Sequence, residues 1–140
     1  MGDEISARCA AIEECYEFML AYAGQGLAGD EGGRSSGRVR DYLNRAVAAL
    51  SGLAEAYAAA VKQENLQPAE RYHAFLAVLD SDARNSLAAI QLVLAQVTLS
   101  SQLIDNLNAS IHLRALLTDL FLVDEILKPQ RMQAKPVTTD

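Results

Sequence analysis

The sequence contains one Glu-x-x-His pair, formed by Glu70 and His73 in "ERYH". Ferritin-like di-iron bundles use two such pairs and two further glutamates, all of which point into the bundle. The other histidine, His112, has alanine three residues before it, so the second pair is missing. At about 100° per residue, Glu70 and His73 also lie well away from the apolar side of their own predicted helix. A solvated helix face is the favoured interpretation, and a metal site at Glu70 and His73 is the weaker alternative.

The segment "GQGLAG", residues 24–29, has the glycine spacing of dinucleotide-binding proteins. In those proteins the motif follows a strand and opens a helix. Here it follows a predicted helix, and the next helix starts several residues later. Six of the eight glycines fall in residues 24–37, and glycine costs order in any regular element. The segment 24–37 is therefore predicted to be a flexible loop.

Three arginines surround the start of the second predicted helix: Arg34, Arg38 and Arg40. Main-chain N–H groups at a helix start can hold an anion, so this cluster is a weak candidate for binding a phosphate-like group. The alternative is that the arginines pair with acidic residues of the first helix, such as Glu13 and Glu17.

The two cysteines, Cys9 and Cys15, lie in one predicted helix and about 240° apart around its axis, so they cannot form a disulfide with each other. Cys9 falls on the apolar side of that helix. Glu14 stands next to Cys15 and disfavours a reactive thiolate there. No Ser-His-Asp or Cys-His arrangement has support in the sequence. We therefore lean against an enzyme and expect no cofactor.

The composition is that of a soluble globular domain, with 51% hydrophobic and 21% charged residues in a chain of 140. The net charge of −6 argues against nucleic-acid binding, which needs a basic face. No apolar run approaches the ~20 residues of a membrane span, and the first residues lack the pattern of a signal peptide. The expected location is the cytoplasm.

Helix-forming residues dominate and β-branched runs are absent, so the fold class is predicted to be all-α. Between Ala69 and Lys128 there is no glycine or proline. One helix of that length would span roughly 90 Å, so a break is expected at 98–101, with 80–82 and 106–110 as alternatives. The helices are predicted at the following positions: about 4–23, from Ser35 or Ser36 to about 64, from 69 to the break, and from the break to 128.

Four helices of similar length predict an antiparallel, up-down-up-down four-helix bundle with the glycine-rich loop between helices 1 and 2. This bundle would occupy residues 1–128, and 129–140 would form a disordered polar tail. The clearest core pattern is on helix 2, where apolar residues alternate spacings of four and three. They are Val39, Leu43, Ala46, Leu50, Leu53, Tyr57 and Ala60.

Helix 4 changes its apolar side part-way along. The line through Leu103, Leu107 and Ile111 becomes polar, and the later apolar residues lie about 150° away from it. Three explanations are open: an interruption near 106–110, burial on all sides, or a second chain that covers one side. Phe18 and Tyr22 also lie off the main apolar side of helix 1, which favours a partner surface. The predicted interface residues are Leu113, Leu116, Leu120, Leu127, Phe18 and Tyr22.

The sequence therefore predicts a protein with an adaptor or accessory role that acts through protein–protein contacts. The expected partner is a second copy in a homodimer, and another protein is a further candidate. One alternative function is a ferritin-like bundle that binds a metal or a small ligand. A second alternative is an export-chaperone-like protein, which rests only on small size, acidity and helices.

Overall fold

The computed structural model describes residues 3–25 and 33–134, and side chains within 4–25 and 37–127. In this part of the chain the regular structure is helical and contains no strand, which confirms the all-α prediction. There are six helices here rather than the four predicted. They are α1 (Asp3–Ala23), α2 (Gly33–Leu50), α3 (Leu53–Gln63), α4 (Ala69–Leu94), α5 (Ser101–Ala109) and α6 (Ile111–Ala134). Most of the predicted glycine-rich loop, 26–32, lies outside the described residues.

The second predicted helix is interrupted at Ser51 and Gly52, which separates α2 from α3. Gly52 has a φ of 85°, in the left-handed region that side chains with a Cβ rarely adopt. Arg8 of α1 closes the break from outside, because its Nη1 donates to the carbonyl oxygens of Ala49 at 2.8 Å and Ser51 at 2.6 Å. The last carbonyls of a helix lack partners within it and carry partial negative charge, which the guanidinium satisfies.

The core pattern predicted for helix 2 is confirmed across this interruption. Each of its seven residues is buried, from Val39 on α2 to Ala60 on α3. Leu50 and Leu53 lie on either side of the break and are both in the core. The apolar side therefore continues from α2 into α3 although the helix itself does not.

The helix α4 passes through 80–82 without a break, so that alternative is wrong. Asp80 accepts a hydrogen bond of 2.8 Å from Nε of Arg84, four residues later on the same exposed side. Such a pair supports a helix by a few tenths of a kcal/mol. The polar "DSD" segment is thus part of an uninterrupted helix.

The break predicted at 98–101 is confirmed, since α4 ends at Leu94 and α5 begins at Ser101. The Ser100 side chain accepts a hydrogen bond of 3.1 Å from the main-chain N–H of Leu103. This is the usual role of serine in front of a helix, where it satisfies one of the free N–H groups.

A further interruption at Ser110 separates α5 from α6. Ser110 has an extended backbone with a ψ of 140°, and its carbonyl oxygen already accepts from the N–H of Arg114. Oγ of Ser110 and Oδ1 of Asn108 are buried without a hydrogen-bond partner among the described atoms, so bonds to these side-chain oxygens do not account for the interruption. Of the three explanations for the change of apolar side, the interruption is the one that the structure contains. The helices α5 and α6 each turn their own apolar side to the core.

The helix α6 continues to Ala134, so the predicted helix end at Lys128 is wrong. The disordered tail at 129–140 stays a prediction. Proline has a φ that fits a helix, but Pro129 leaves the carbonyl of Glu125 without its helical N–H donor. Glu125 is exposed, so water can reach that carbonyl. Residues 135–140 lie outside the described residues.

The helices pack unevenly around the core. Main-chain contact is most extensive between α1 and α2, between α4 and α6 and between α3 and α4, and α1 also lies against α5. Main-chain contact between α1 and α6 is sparse by comparison. The main chains of these two helices are therefore separated mainly by side chains.

Candidate functional site

The four leucines predicted to meet a second chain lie inside a single chain. Leu113, Leu116, Leu120 and Leu127 are at most 3% exposed. Because α6 starts anew after Ser110, this row turns to the core without the help of a partner. The prediction that these leucines form a dimer interface therefore lacks the exposed surface that it requires.

The two predicted interface residues of α1 are also held within the chain. Tyr22 is fully buried, and its hydroxyl donates to the main-chain oxygen of Leu99. Phe18 is half-buried and stacks on Tyr42 of α2, with ring centroids 4.5 Å apart. These contacts bind α1 to its neighbours and leave neither ring free for another molecule.

The predicted anion site is not assembled in the described part of the chain. Arg38 stacks over the Phe18 ring at 4.9 Å, and Arg40 donates to the main-chain oxygens of Leu94 at 3.1 Å and Gln96 at 2.8 Å. Arg40 thus caps the end of α4, where the helix dipole favours a positive charge. The side chain of Arg34 lies outside the described residues.

The Glu-x-x-His pair does not point into the core. Glu70 and His73 are both exposed on the first turns of α4. Within the described residues, no group of three or more His, Cys, Asp or Glu side chains is arranged to hold a metal ion. The di-iron arrangement requires inward carboxylates and histidines, which this position does not provide.

The surface between α1 and α6 contains two adjoining pockets. One part of about 410 Å³ and another of about 220 Å³ share Glu13 and Phe121 in their walls. We call this space the α1–α6 groove. It extends from Ile5 to Leu20 along α1, about 22 Å or four helical turns.

Apolar side chains in the α1–α6 groove are open to solvent. Leu20 is 51% exposed and Phe121 is 56% exposed, and both line the same part of the groove with Tyr16 and Leu117. Large apolar residues that lie together and open to solvent mark interaction sites more often than isolated ones do. The sequence analysis did not identify Leu20 and Phe121 as a pair, although Phe121 is an apolar residue that lies outside the row of buried leucines.

The walls of the α1–α6 groove are acidic. Partial burial raises the pKa of Glu13, and the neighbouring charges of Asp124 and Glu17 raise it further. Arg114 also contributes to the wall, near the Leu20 end. In a protein of net charge −6, this groove is suited to a positively charged ligand.

Neither cysteine supplies the groove with an activated nucleophile. Cys9 lines it, but burial raises the pKa of the Cys9 thiol despite a 3.4 Å contact between its sulfur and the Tyr57 hydroxyl. The charges of Glu13 and Asp124 raise that pKa further. Burial raises the pKa of Cys15 to about 12, with Arg45 acting weakly in the opposite direction. Both thiols are therefore protonated at neutral pH, and a thiol is a poor nucleophile.

A pair of carboxyl groups joins α4 to α6 away from the groove. Asp119 is 8% exposed, and its pKa is raised to about 7 by burial, by a hydrogen bond with Asp82 and by the charge of Asp82. Oδ2 of Asp119 and Oγ of Ser86 are buried without a hydrogen-bond partner among the described atoms.

Comparisons with protein-family models, with curated proteins and with solved structures found no match for this chain. Among the described residues, no helix combines the length and the apolarity needed to cross a membrane. The α1–α6 groove, with its exposed apolar side chains and acidic walls, is the feature of the structure that indicates a function.

Proposed function

We propose that this protein binds a helix of another protein in the α1–α6 groove, and that the bound helix is amphipathic and basic. The observation that carries this proposal is the pairing of Leu20 and Phe121, both more than half exposed, within acidic walls. The role would be that of an adaptor or accessory protein, with the cytoplasm as the expected location.

The order of the helices supports a vacant position beside α1 and α6. Arg8, near the start of α1, bonds the end of α2, and Arg40, near the start of α2, bonds the end of α4. Tyr22, at the end of α1, bonds Leu99, just before α5. These contacts support an up-down-up-down order of four segments: α1, α2 with α3, α4, and α5 with α6. In that order α1 and α6 are neighbours, and a partner helix would fill the space that they leave open.

The chemistry of the walls defines the partner. Apolar residues repeating every three or four positions would cover Leu20 and Phe121, as in other helix-in-groove complexes. Burying what remains exposed of these two side chains contributes on the order of 1 kcal/mol each. Lysine or arginine on both sides of the apolar residues would face Glu13 and Glu17. Charges at such a rim mainly favour association rate and selectivity.

A second copy of the chain is the other candidate partner, and a specific feature favours it. Ile111 and Leu122 are 74% and 48% exposed on the outermost side of α6. These two residues are eleven positions apart, close to three full turns, so they lie on one side of the helix. Two α6 helices packed antiparallel about a two-fold axis would bring Ile111 of each copy opposite Leu122 of the other. The homodimer thus stays a proposal, and its interface would be this outer side of α6 instead of the buried leucines.

The groove is tested with two synthetic helical peptides of 15 residues that share one leucine row. One has lysine on both sides of the row and the other has glutamate. Fluorescence anisotropy at low salt should show binding of the lysine peptide and much weaker binding of the glutamate peptide. Phe121→Ser should weaken the lysine complex about tenfold or more, and Leu92→Ser, at an exposed leucine of α4, should leave it unchanged.

Equal affinity for the two peptides, or an unchanged affinity in Phe121→Ser, would contradict the groove proposal. The second-copy proposal has its own test in light scattering coupled to size-exclusion chromatography. It predicts a mass of twice the 15.1 kDa of one chain, reduced to one chain in Leu122→Asp. A wild-type mass of 15.1 kDa at tens of micromolar would exclude it.

A further inference from the structure

A separate apolar pocket lies between α3, α4 and α6, at the end of the molecule where α4 begins. Its volume is about 300 Å³. Three aromatic residues line it, Tyr57, Tyr72 and Phe75, and aliphatic side chains such as Val61 and Val123 complete the wall. Among the described lining residues, Arg71 is the only one that carries a charge.

This lining favours an apolar ligand over water. A water molecule needs two to four polar partners to be held in a cavity, and the wall of this pocket offers few. Ligand pockets in proteins have volumes of about 300–1,000 Å³ and are lined mainly by apolar and aromatic side chains with a few polar groups. The pocket is at the lower end of that range, which fits one flexible chain.

Arg71 supplies the polar group at the mouth. It is exposed on the first turn of α4, whereas Leu76, one turn and a half further along, is buried at the inner end. A guanidinium group is planar and matches a carboxylate with two parallel hydrogen bonds. An apolar interior with one arginine at its mouth therefore matches a ligand that has an apolar chain with an acid group at its end.

We propose that this pocket binds a free single-chain aliphatic carboxylate, with the chain among the aromatic residues and the carboxylate on Arg71. A lipid with two chains would exceed the volume. The site is on the α4 side of α6, and Tyr57 and Leu127 line both this pocket and the α1–α6 groove. It gives the protein a second, small-molecule ligand in addition to the proposed protein partner.

The test is isothermal titration calorimetry of the full chain with three ten-carbon probes below their micelle concentrations. The probes are decanoate, decanol and decyltrimethylammonium, which share the chain and differ in the charge of the head group. Decanoate should bind with a stoichiometry of one and more tightly than decanol, and the cation should bind most weakly. Arg71→Gln should weaken decanoate about tenfold, to the level of decanol, because it removes a charge-assisted hydrogen bond. Arg84→Gln, at an exposed arginine of the same helix, should leave all three affinities unchanged.

A pocket-filling variant separates this site from nonspecific binding. Ile126 lines the pocket and is 45% exposed, so Ile126→Trp adds volume at the rim without crowding the core. It should abolish binding of decanoate and decanol while the circular dichroism spectrum stays that of the wild type. The proposal is overturned if decanoate and decanol bind equally, if Arg71→Gln has no effect, or if no probe saturates the protein. Co-sedimentation of the wild type with phosphatidylcholine vesicles would point to membrane lipid and would overturn the assignment to a free ligand.

Discussion

Ser101 and Tyr22 join the start of α5 to the end of α1. The Ser101 hydroxyl donates a 2.7 Å hydrogen bond to the main-chain oxygen of Tyr22, and both groups are buried. In the same place the Tyr22 hydroxyl donates to the main-chain oxygen of Leu99. Leu20, at one end of the α1–α6 groove, is only two residues before Tyr22. This pair of bonds therefore helps to fix the position of the groove wall.

Replacement of Ser101 by alanine should lower the free energy of unfolding by ~1–3 kcal/mol, because it leaves the buried oxygen of Tyr22 without a donor. Urea unfolding followed by circular dichroism measures the change. Ser81→Ala, at an exposed serine within α4, should change stability by less than about 0.5 kcal/mol. If the two variants were equally stable, the bond between Ser101 and Tyr22 would not contribute as described.

The carboxyl pair of Asp119 and Asp82 should make stability depend on pH. The pKa of Asp119 is raised from 3.8 to about 7 in the folded protein, so between these values the folded state binds more protons than the unfolded state. The contribution of protonated Asp119 to the free energy of unfolding is therefore fully present at low pH, and it is lost as the pH rises toward 7. The raised pKa of Glu13 acts in the same direction.

Substituting Asp119 by asparagine should flatten this dependence and stabilise the protein at pH 8, on the order of a few kcal/mol. Urea unfolding at pH 5 and pH 8 would show it. Asp105→Asn, at an exposed carboxylate of α5, should keep the wild-type dependence. An Asp119→Asn protein that loses as much stability between pH 5 and pH 8 as the wild type would show that Asp119 is not the source of the pH dependence.

The two thiols should react slowly and in a fixed order. Cys15 is 2% exposed with a pKa raised to about 12, and Cys9 is half-buried, so a disulfide reagent at pH 8 should modify Cys9 first. The measurement uses Cys9→Ser and Cys15→Ser, each retaining one thiol. In guanidinium chloride both thiols should react fast and equally. Native Cys15 that reacts as quickly as native Cys9 would show that α1 opens on the time scale of the reaction.

The periodicity of the sequence identified helices and their buried sides but missed the interruption at Gly52, and it left the one near Ser110 as one of several alternatives. Leu50 and Leu53 are three residues apart, so the break at Gly52 preserves the apolar spacing and leaves no trace in the pattern. A single glycine is tolerated within many helices, which makes it a weak signal of a break. The cap that closes α2 comes from Arg8, some forty residues earlier, and only tertiary packing brings it there.

The interface prediction failed for a related reason. It extended one straight helix through Ser110, which placed Leu120 on the outside, whereas the break turns Leu120 to the core. Phe121, which is exposed, follows neither of the two lines considered in the sequence. Its proximity to Leu20 depends on how α1 and α6 pack together, which the pattern of one helix does not contain.

The central claim is that a basic amphipathic helix binds in the α1–α6 groove. Methyl NMR spectra of the isotopically labelled protein, titrated with the lysine peptide described above, locate that site directly. We predict that the methyl signals of Leu20 and Leu117 shift with saturation, and that those of Val78 and Leu92, which lie on α4, do not. Shifts confined to Val78 and Leu92, or the absence of any saturable shift, would contradict the proposal that the α1–α6 groove is the binding site.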